Sequence, residues 1–426
     1  MSKIFDSARF FAALLSLAAI VLFAGCPPPK KPLPVKPKPV EKKEDAGKKA
    51  PEDETASAKP LAKSMLLVEL DEKYNTPDGM CLLPDGDVLV SVPNVNSYCI
   101  EYNTEKDGEK IGPAARPKHP PVIIRLTTND AGDTEVTEYF KMPMHPESEK
   151  GFPFGICIDK DAKSLYITDL QWFADMDEPK PWARILRVPL DEKYNPAGEP
   201  EVVVSGAIVT NAVVIRDGKL YYTDTSMLPG TDPVISGVFC VPEDSKDLKI
   251  QEKRDEDPHL LCKLKTYNVK VGFGADGLTF DEEGNLYIGN FADGTLHIVK
   301  FDKEGKPTNL EDGFAPIFAK VPHMKSCDGI FFDKQTGKIF VADSIANAVQ
   351  VVDPKTAEVV TLAQDGNVTG EGGLLDQPSE VIVRGDEVIA ANMDFPVPGG
   401  VNTTWDEPYT ISVIKIPESL VPEKEE

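Results

Sequence analysis

The stretch "GADGLTFDEEGNLYIGN", residues 274–290, reads as two short apolar strands joined by a turn of Asp, Glu, Gly and Asn. Its unusual feature is Asp276-Gly277 at the head of the first strand. Gly272, Gly274 and Gly277 match the spacing of a dinucleotide-binding fingerprint, but that motif follows a strand and opens a helix. Here the glycines open a strand, so a dinucleotide site is set aside.

The pattern recurs. "PDGMCLLPDGDVLVSV" (77–92), "PFGICIDKDAKSLYITD" (153–169), "TNAVVIRDGKLYYTD" (210–224), "ADGLTFDEEGNLYIGN" (275–290), "CDGIFFDKQTGKIFVAD" (327–343) and "SEVIVRGDEVIAAN" (379–392) share one grammar. Each has a small or polar opening, an apolar strand, a turn built on Asp, Gly or Asn, a second apolar strand and usually a closing Asp or Asn. Segments between the copies, such as "PVIIRLTT", "ARILRVPL" and "GTLHIVKFD", are also strand-like, and sustained helical periodicity is scarce. Two further strands per copy complete a four-stranded blade, so the repeats predict an all-β, six-bladed β-propeller. A sandwich lacks repeats of this length and a parallel β-helix has much shorter ones. "MLLVEL" (65–70) and "YTISVIKI" (409–416) are placed to close the ring by pairing in one blade.

In such a ring the first strand of each blade lines the central channel. The mouth positions read Asp78, Phe154, Asn211, Asp276, Asp328 and Glu380. Because the first two strands are antiparallel, Asp169, Asp224, Asn290, Asp343 and Asn392 form a collar on the same face. Several carboxylates aimed at one axis raise one another's pKa unless a cation neutralises them, and oxygen-only ligands suit Ca²⁺. The expected role of the collar is ordinary strand and turn capping; that of the inner ring is metal binding.

At these residues the sequence resembles the family that includes senescence marker protein 30, gluconolactonases, luciferin-regenerating enzyme and diisopropylfluorophosphatase-type hydrolases, calcium-dependent six-bladed propellers. "GADGLTFDEEGNLYIGN" looks like the family's Asp-Gly strand, and "TNAVVIRDGKLYYTD" like its Asn strand one blade earlier. The resemblance implies Asp276 as metal ligand and base or nucleophile, and Asn211 as a second ligand. Counted around the ring, the family's Glu ligand falls on Glu380, as if the blades were cyclically shifted. Where the family places another Asn, this chain has Phe154, which implies either altered specificity or binding without turnover.

The implied activity is hydrolysis of a lactone or ester, with Ca²⁺ on Glu380, Asn211 and Asp276 polarising the carbonyl and Asp276 or Asp328 activating water. Asp78, Phe154, His145 and His323 are candidates for substrate contact. No GxSxG elbow is present, which disfavours a serine hydrolase. The alternatives are a non-catalytic ligand-binding or protein-interaction platform, and an envelope assembly factor.

The N-terminus carries Lys3, Arg9 and the apolar run "FFAALLSLAAIVLFAG" before Cys26. This reads as a signal peptide over 1–25, and "LFAGC" resembles a bacterial lipobox, which makes Cys26 the expected lipidation site. Pro27 in place of Asp points to the outer membrane. A Pro/Lys-rich linker, 26–63, follows and is expected to be a disordered tether; the propeller is assigned to 64–420 and an acidic tail to 421–426. Residues 61–426 hold 35 Lys plus Arg against 63 Asp plus Glu. That field disfavours nucleic acid and favours cations. Six cysteines besides Cys26 permit disulfides in an exported chain, with Cys240–Cys262 the first candidate pair; no CxxC or HExxH supports zinc.

Overall fold

The computed structural model describes residues 59–95, 104–106, 109–111, 119–176 and 178–422. The signal peptide, Cys26, most of the linker, Cys99 and the last four residues lie outside the described residues.

Six sheets form the six blades of a propeller. The first contains Met80–Leu82, Val88–Val92, Val122–Thr128 and Thr134–Lys141. The second contains Pro153–Ile158, Ser164–Asp169, Ala183–Pro189 and Glu201–Ala207, with Leu248–Lys249 added in parallel at its outer edge. The third runs Thr210–Arg216, Lys219–Leu228, Val234–Pro242, Leu260–Thr266, and the fourth Ala275–Phe280, Leu286–Asn290, Thr295–Val299, Ile317–Lys320. The fifth is Ile330–Asp333, Lys338–Asp343, Ala348–Val352 and Val359–Gln364. The sixth takes Pro378–Arg384, Glu387–Asn392 and Thr410–Lys415 from the C-terminal end and its outer strand, Ser64–Glu69, from the N-terminal end.

That last pairing closes the ring as the sequence predicts: Ser64 faces Ile414 and Glu69 faces Thr410. Closure removes an exposed edge between the ends of the fold. Leu61 and Ala62, on the linker side of the expected boundary, already donate backbone hydrogen bonds to Thr361 and Leu362 of the fifth blade.

Packing follows from burial on both faces of each blade, which is why the inner strands read as nearly continuous apolar runs. Buried hydrophobic clusters sit between every neighbouring pair of blades. Leu89 and Ile123 meet Ile156 and Leu165 between the first and second, and Tyr222 and Phe239 meet Ile185 and Val203 between the second and third. The same arrangement continues around to Val88 and Val90 against Ile382 and Ile389, between the sixth and the first.

The recurring Asp-Gly is explained by this packing. A Cβ on Gly79 would overlap the Phe154 carbonyl, one on Gly155 the Asn211 carbonyl, and one on Gly277 the Asp328 carbonyl. Innermost strands of adjacent blades thus approach backbone to backbone, and only a residue without a side chain allows it. In the second, third, fourth and sixth blades the opening is also a bulge: in the fourth, pairing jumps from Ala275↔Asn290 to Leu278↔Ile288, leaving Asp276 and Gly277 outside the regular ladder.

The Cys240–Cys262 pairing is not formed. Both thiols are free, because the ladder sets Cys262 opposite Val238 while the Cys240 amide bonds to His259. Cys81, Cys157 and Cys327 are free as well.

Candidate functional site

The collar answers to local structure. Asp169 accepts from the Phe152 amide (2.9 Å), from Gln171 (2.7 Å) and from Arg184 (2.8 Å). Asp224 accepts from the amides of Ile208 and Val209, and Asp343 from those of Lys325 and Ser326. Asn392 accepts from the Asp376 amide, and Asn290 bonds Thr266 and the Lys265 carbonyl. In four of the five blades the end of the second strand therefore pins the loop that feeds the first strand. Capping, not metal binding, uses these side chains.

Removing one should be costly. Asp169→Ala leaves the buried Arg184 guanidinium without its carboxylate and strands the Phe152 amide. Urea denaturation is expected to show a loss of about 3–5 kcal/mol; a loss below about 1 kcal/mol would mean the collar does not hold the loops.

Inside the collar lies a cavity of about 580 Å³ counted to its open mouth. Asp78, Asn211, Asp276 and Asp328 supply its polar floor, with Phe154 among them at the corresponding position of the second blade. Among the described residues, no lysine, arginine or histidine lines it. Its walls are apolar and rich in aromatic rings, notably Trp172, Phe173, Phe273, Phe291 and Phe395. Trp172 packs edge-on against Phe173 and Phe273, and Phe173 against Phe395, so the rings form one connected wall.

Glu380 does not occupy the mouth position of the sixth blade. The pairing jumps from Pro378↔Asn392 to Glu380↔Ala391 and Val381↔Ala390, so Ser379 matches Asp276 and Glu380 matches Gly277. Its carboxylate lies where a Cβ on Gly329 would stand, Oε1 accepting from the Val381 amide (2.9 Å), and Glu380 is not part of the cavity lining. The sixth blade thus places a carboxylate one layer deeper than the sequence reading expects.

The four acids strain against one another electrostatically. Burial pushes Asp78 up to about 7, with Ser379 and the Gly79 amide acting against the rise. Asp276 is driven well above the carboxylate range by burial and then by the charges of Asp78 and Glu380, with nothing lowering it. Asp328 rises through burial, Asp276 and Asp78, partly relieved by the Ser344 hydroxyl at 2.8 Å. Glu380 rises through burial and through Asp78 and Asp328, against the Val381 amide. Like charges this close do not all ionise in a dry site without a counter-ion.

A divalent cation suits such oxygens in kind. Their spread sets a limit. Among the described residues only one trio of acids presents oxygens all within 4.8 Å of one another, and it is Asp376, Asp394 and Asp406. No three of Asp78, Asp276, Asp328 and Glu380 do so, so as they stand at most two of these acids could share one ion.

His145 and His323 do not line the cavity. His145 Nδ1 accepts from the Glu147 amide, its ring lies beside Trp182, and burial and then the Arg184 charge lower its pKa. The walls went unseen in the sequence, although a signal was present. Leu170 with Trp172 and Phe173, Thr225, Phe291, Ser344, and Met393 with Phe395 all follow a collar residue by one to four positions.

Fold and site together define a six-bladed β-propeller with an acidic floor under an aromatic-walled cavity. Among solved structures the chain is similar to the PQQ-bound aldose sugar dehydrogenase of Streptomyces coelicolor, at 16% identity and TM-score 0.53, covering 84% of this chain and 99% of that one. It is also similar to luciferin-regenerating enzyme, at 10% identity and TM-score 0.51, covering 83% and 95%. A weaker match, 13% identical with TM-score 0.48 over 84% and 95%, is the calcium-binding protein regucalcin of Agrobacterium tumefaciens. At these identities the similarity to the first two structures is one of fold alone. No family model and no curated protein sequence matches the chain.

Proposed function

We propose that the cavity is the site of a calcium-dependent hydrolase acting on a lactone or ester with an apolar body. The observation that carries this reading is the convergence of three buried acids, Asp78, Asp276 and Asp328, on one cavity that no cationic side chain lines among the described residues. Asp276 and Asn211, with the deeper Glu380, would hold the ion, which supplies Lewis-acid polarisation of the carbonyl. Asp328, fixed by Ser344, is the carboxylate placed to take a proton from an attacking water. The aromatic wall excludes bulk water and binds the part of the substrate away from the carbonyl.

The test is hydrolysis of a series of lactones of increasing alkyl chain length, with and without chelator. Activity should require divalent cation, and kcat/KM should rise by about fourfold per added methylene until the cavity is full, from about 0.8 kcal/mol per buried CH₂. Absence of hydrolysis across the series, with calcium bound, favours the second reading. In that reading the protein is a ligand-binding platform, and the spread of the floor acids beyond one coordination shell is the observation in its favour.

The chain's proposed setting is the bacterial envelope, anchored through Cys26 at the outer membrane, on the strength of "LFAGC" and the proline-rich segment behind it.

A further inference from the structure

The sixth blade carries a second group of acids that the cavity does not use. Asp376 lies two residues before the innermost strand, Asp394 two after the second, and Asp406 near the end of the long loop that returns to Thr410. One carboxylate oxygen from each lies within 4.8 Å of the others. Asp376 and Asp394 are each only 2% exposed.

Each carboxylate spends one oxygen on the protein and leaves the other with no partner. Asp376 Oδ1 accepts from Asn402 Nδ2, Asp394 Oδ2 from the Asp406 amide at 2.7 Å, and Asp406 Oδ2 from the Thr404 hydroxyl at 2.8 Å. Asp376 Oδ2, Asp394 Oδ1 and Asp406 Oδ1 are buried and make no hydrogen bond. A buried polar atom left unpaired is destabilising, more so when charged, so three in one place call for a ligand. Among the described residues no lysine, arginine or histidine pairs with any of them, and the charges that bear on Asp376 and Asp394 are those of the other acids in the trio.

We infer that Asp376, Asp394 and Asp406 bind a Ca²⁺ ion, separate from the cavity floor, which fastens the 393–409 loop to the sixth blade. Three carboxylates with no nitrogen or sulfur donor select a hard cation, and deep burial disfavours Mg²⁺, which keeps several of its waters. The loop it fastens carries Met393, Phe395 and Val397 into the cavity wall, and Phe395 packs edge-on against Trp405 at 5.6 Å between ring centres. The ion therefore shapes the wall without touching the floor.

The experiment compares the wild type with Asp406→Asn, Trp405→Phe and Asp276→Asn, using Tb³⁺ emission under tryptophan excitation together with thermal melts in chelator, Ca²⁺ or Mg²⁺. Expected is a Tb³⁺ component displaced by Ca²⁺ that disappears in Asp406→Asn, falls steeply in Trp405→Phe and persists in Asp276→Asn. In chelator Asp406→Asn should melt no lower than wild type, since it removes a repelling charge, while its Ca²⁺-induced rise in melting temperature should be smaller by several degrees. Mg²⁺ at the same concentration should do little. Equal calcium stoichiometry and equal calcium stabilisation in wild type and Asp406→Asn would overturn the inference. Should Asp406→Asn fail to fold, the Trp405→Phe signal decides it, and loss of signal in Asp276→Asn alone would refute this site while leaving the cavity floor as the binding site.

Discussion

Asp276→Asn is expected to lower lactone or ester hydrolysis by about 100-fold or more, because the several kcal/mol of Lewis-acid stabilisation that the ion supplies goes with its ligand, and to remove one bound calcium. The substitution keeps volume and removes only charge, so the fold should survive. Indeed the metal-free variant should be more stable than metal-free wild type. The Asp276 carboxyl is held high by burial and by Asp78 and Glu380 with no opposing hydrogen bond, and neutralising it relieves that conflict. Activity falling while chelator-state stability rises is a combination that a merely structural role for Asp276 would not produce.

In chelator, the protein should lose stability as the pH rises from 5 to 8. Asp78 titrates at about 7 in the fold against an ordinary 3.8, and Asp376 is raised to about 7 in the same way. Between those values the native state holds protons that the unfolded chain has released, so unfolding becomes easier with every step up in pH. Asp78 alone accounts for about 2–3 kcal/mol of loss over that interval, and Asp376 for a similar amount. The stabilisation belongs to the protonated form, is fully present below about pH 4 and is gone above about pH 7. Saturating Ca²⁺ should flatten the profile, because the ion replaces the protons as counter-charge. Urea denaturation at pH 5 and pH 8, with and without calcium, measures it; a profile that climbs towards pH 8 in chelator would contradict it.

The blades were legible in the sequence because their signals are local. Alternation, turn residues and the repeated Asp-Gly lie within a window of fourteen to seventeen residues, and closure by 65–70 and 409–416 needed only matching strands at the two ends. Asp78, Asp276 and Asp328 were found for the same reason, and the structure brings all three to one cavity.

What failed to show depends on register. Ser379-Glu380 contains no glycine to mark the bulge, so Glu380 was read one step too shallow; only the pairing with Ala391 reveals that Ser379 takes the mouth position. The cysteine pairing fell to the same cause, since flanking an excursion does not set two side chains opposite each other. The aromatic wall comes from loops, where no periodicity guides the reading. Asp376, Asp394 and Asp406 span thirty-one residues in two loops and meet only because the sixth blade folds them together.

The central claim is that acids on the channel axis share a divalent ion, and a calorimetric calcium titration of the purified protein tests it most directly. The account predicts two equivalents for wild type, one each for Asp276→Asn and Asp406→Asn, and none for the double variant. Full wild-type stoichiometry in Asp276→Asn would contradict it, whatever the fate of the second site.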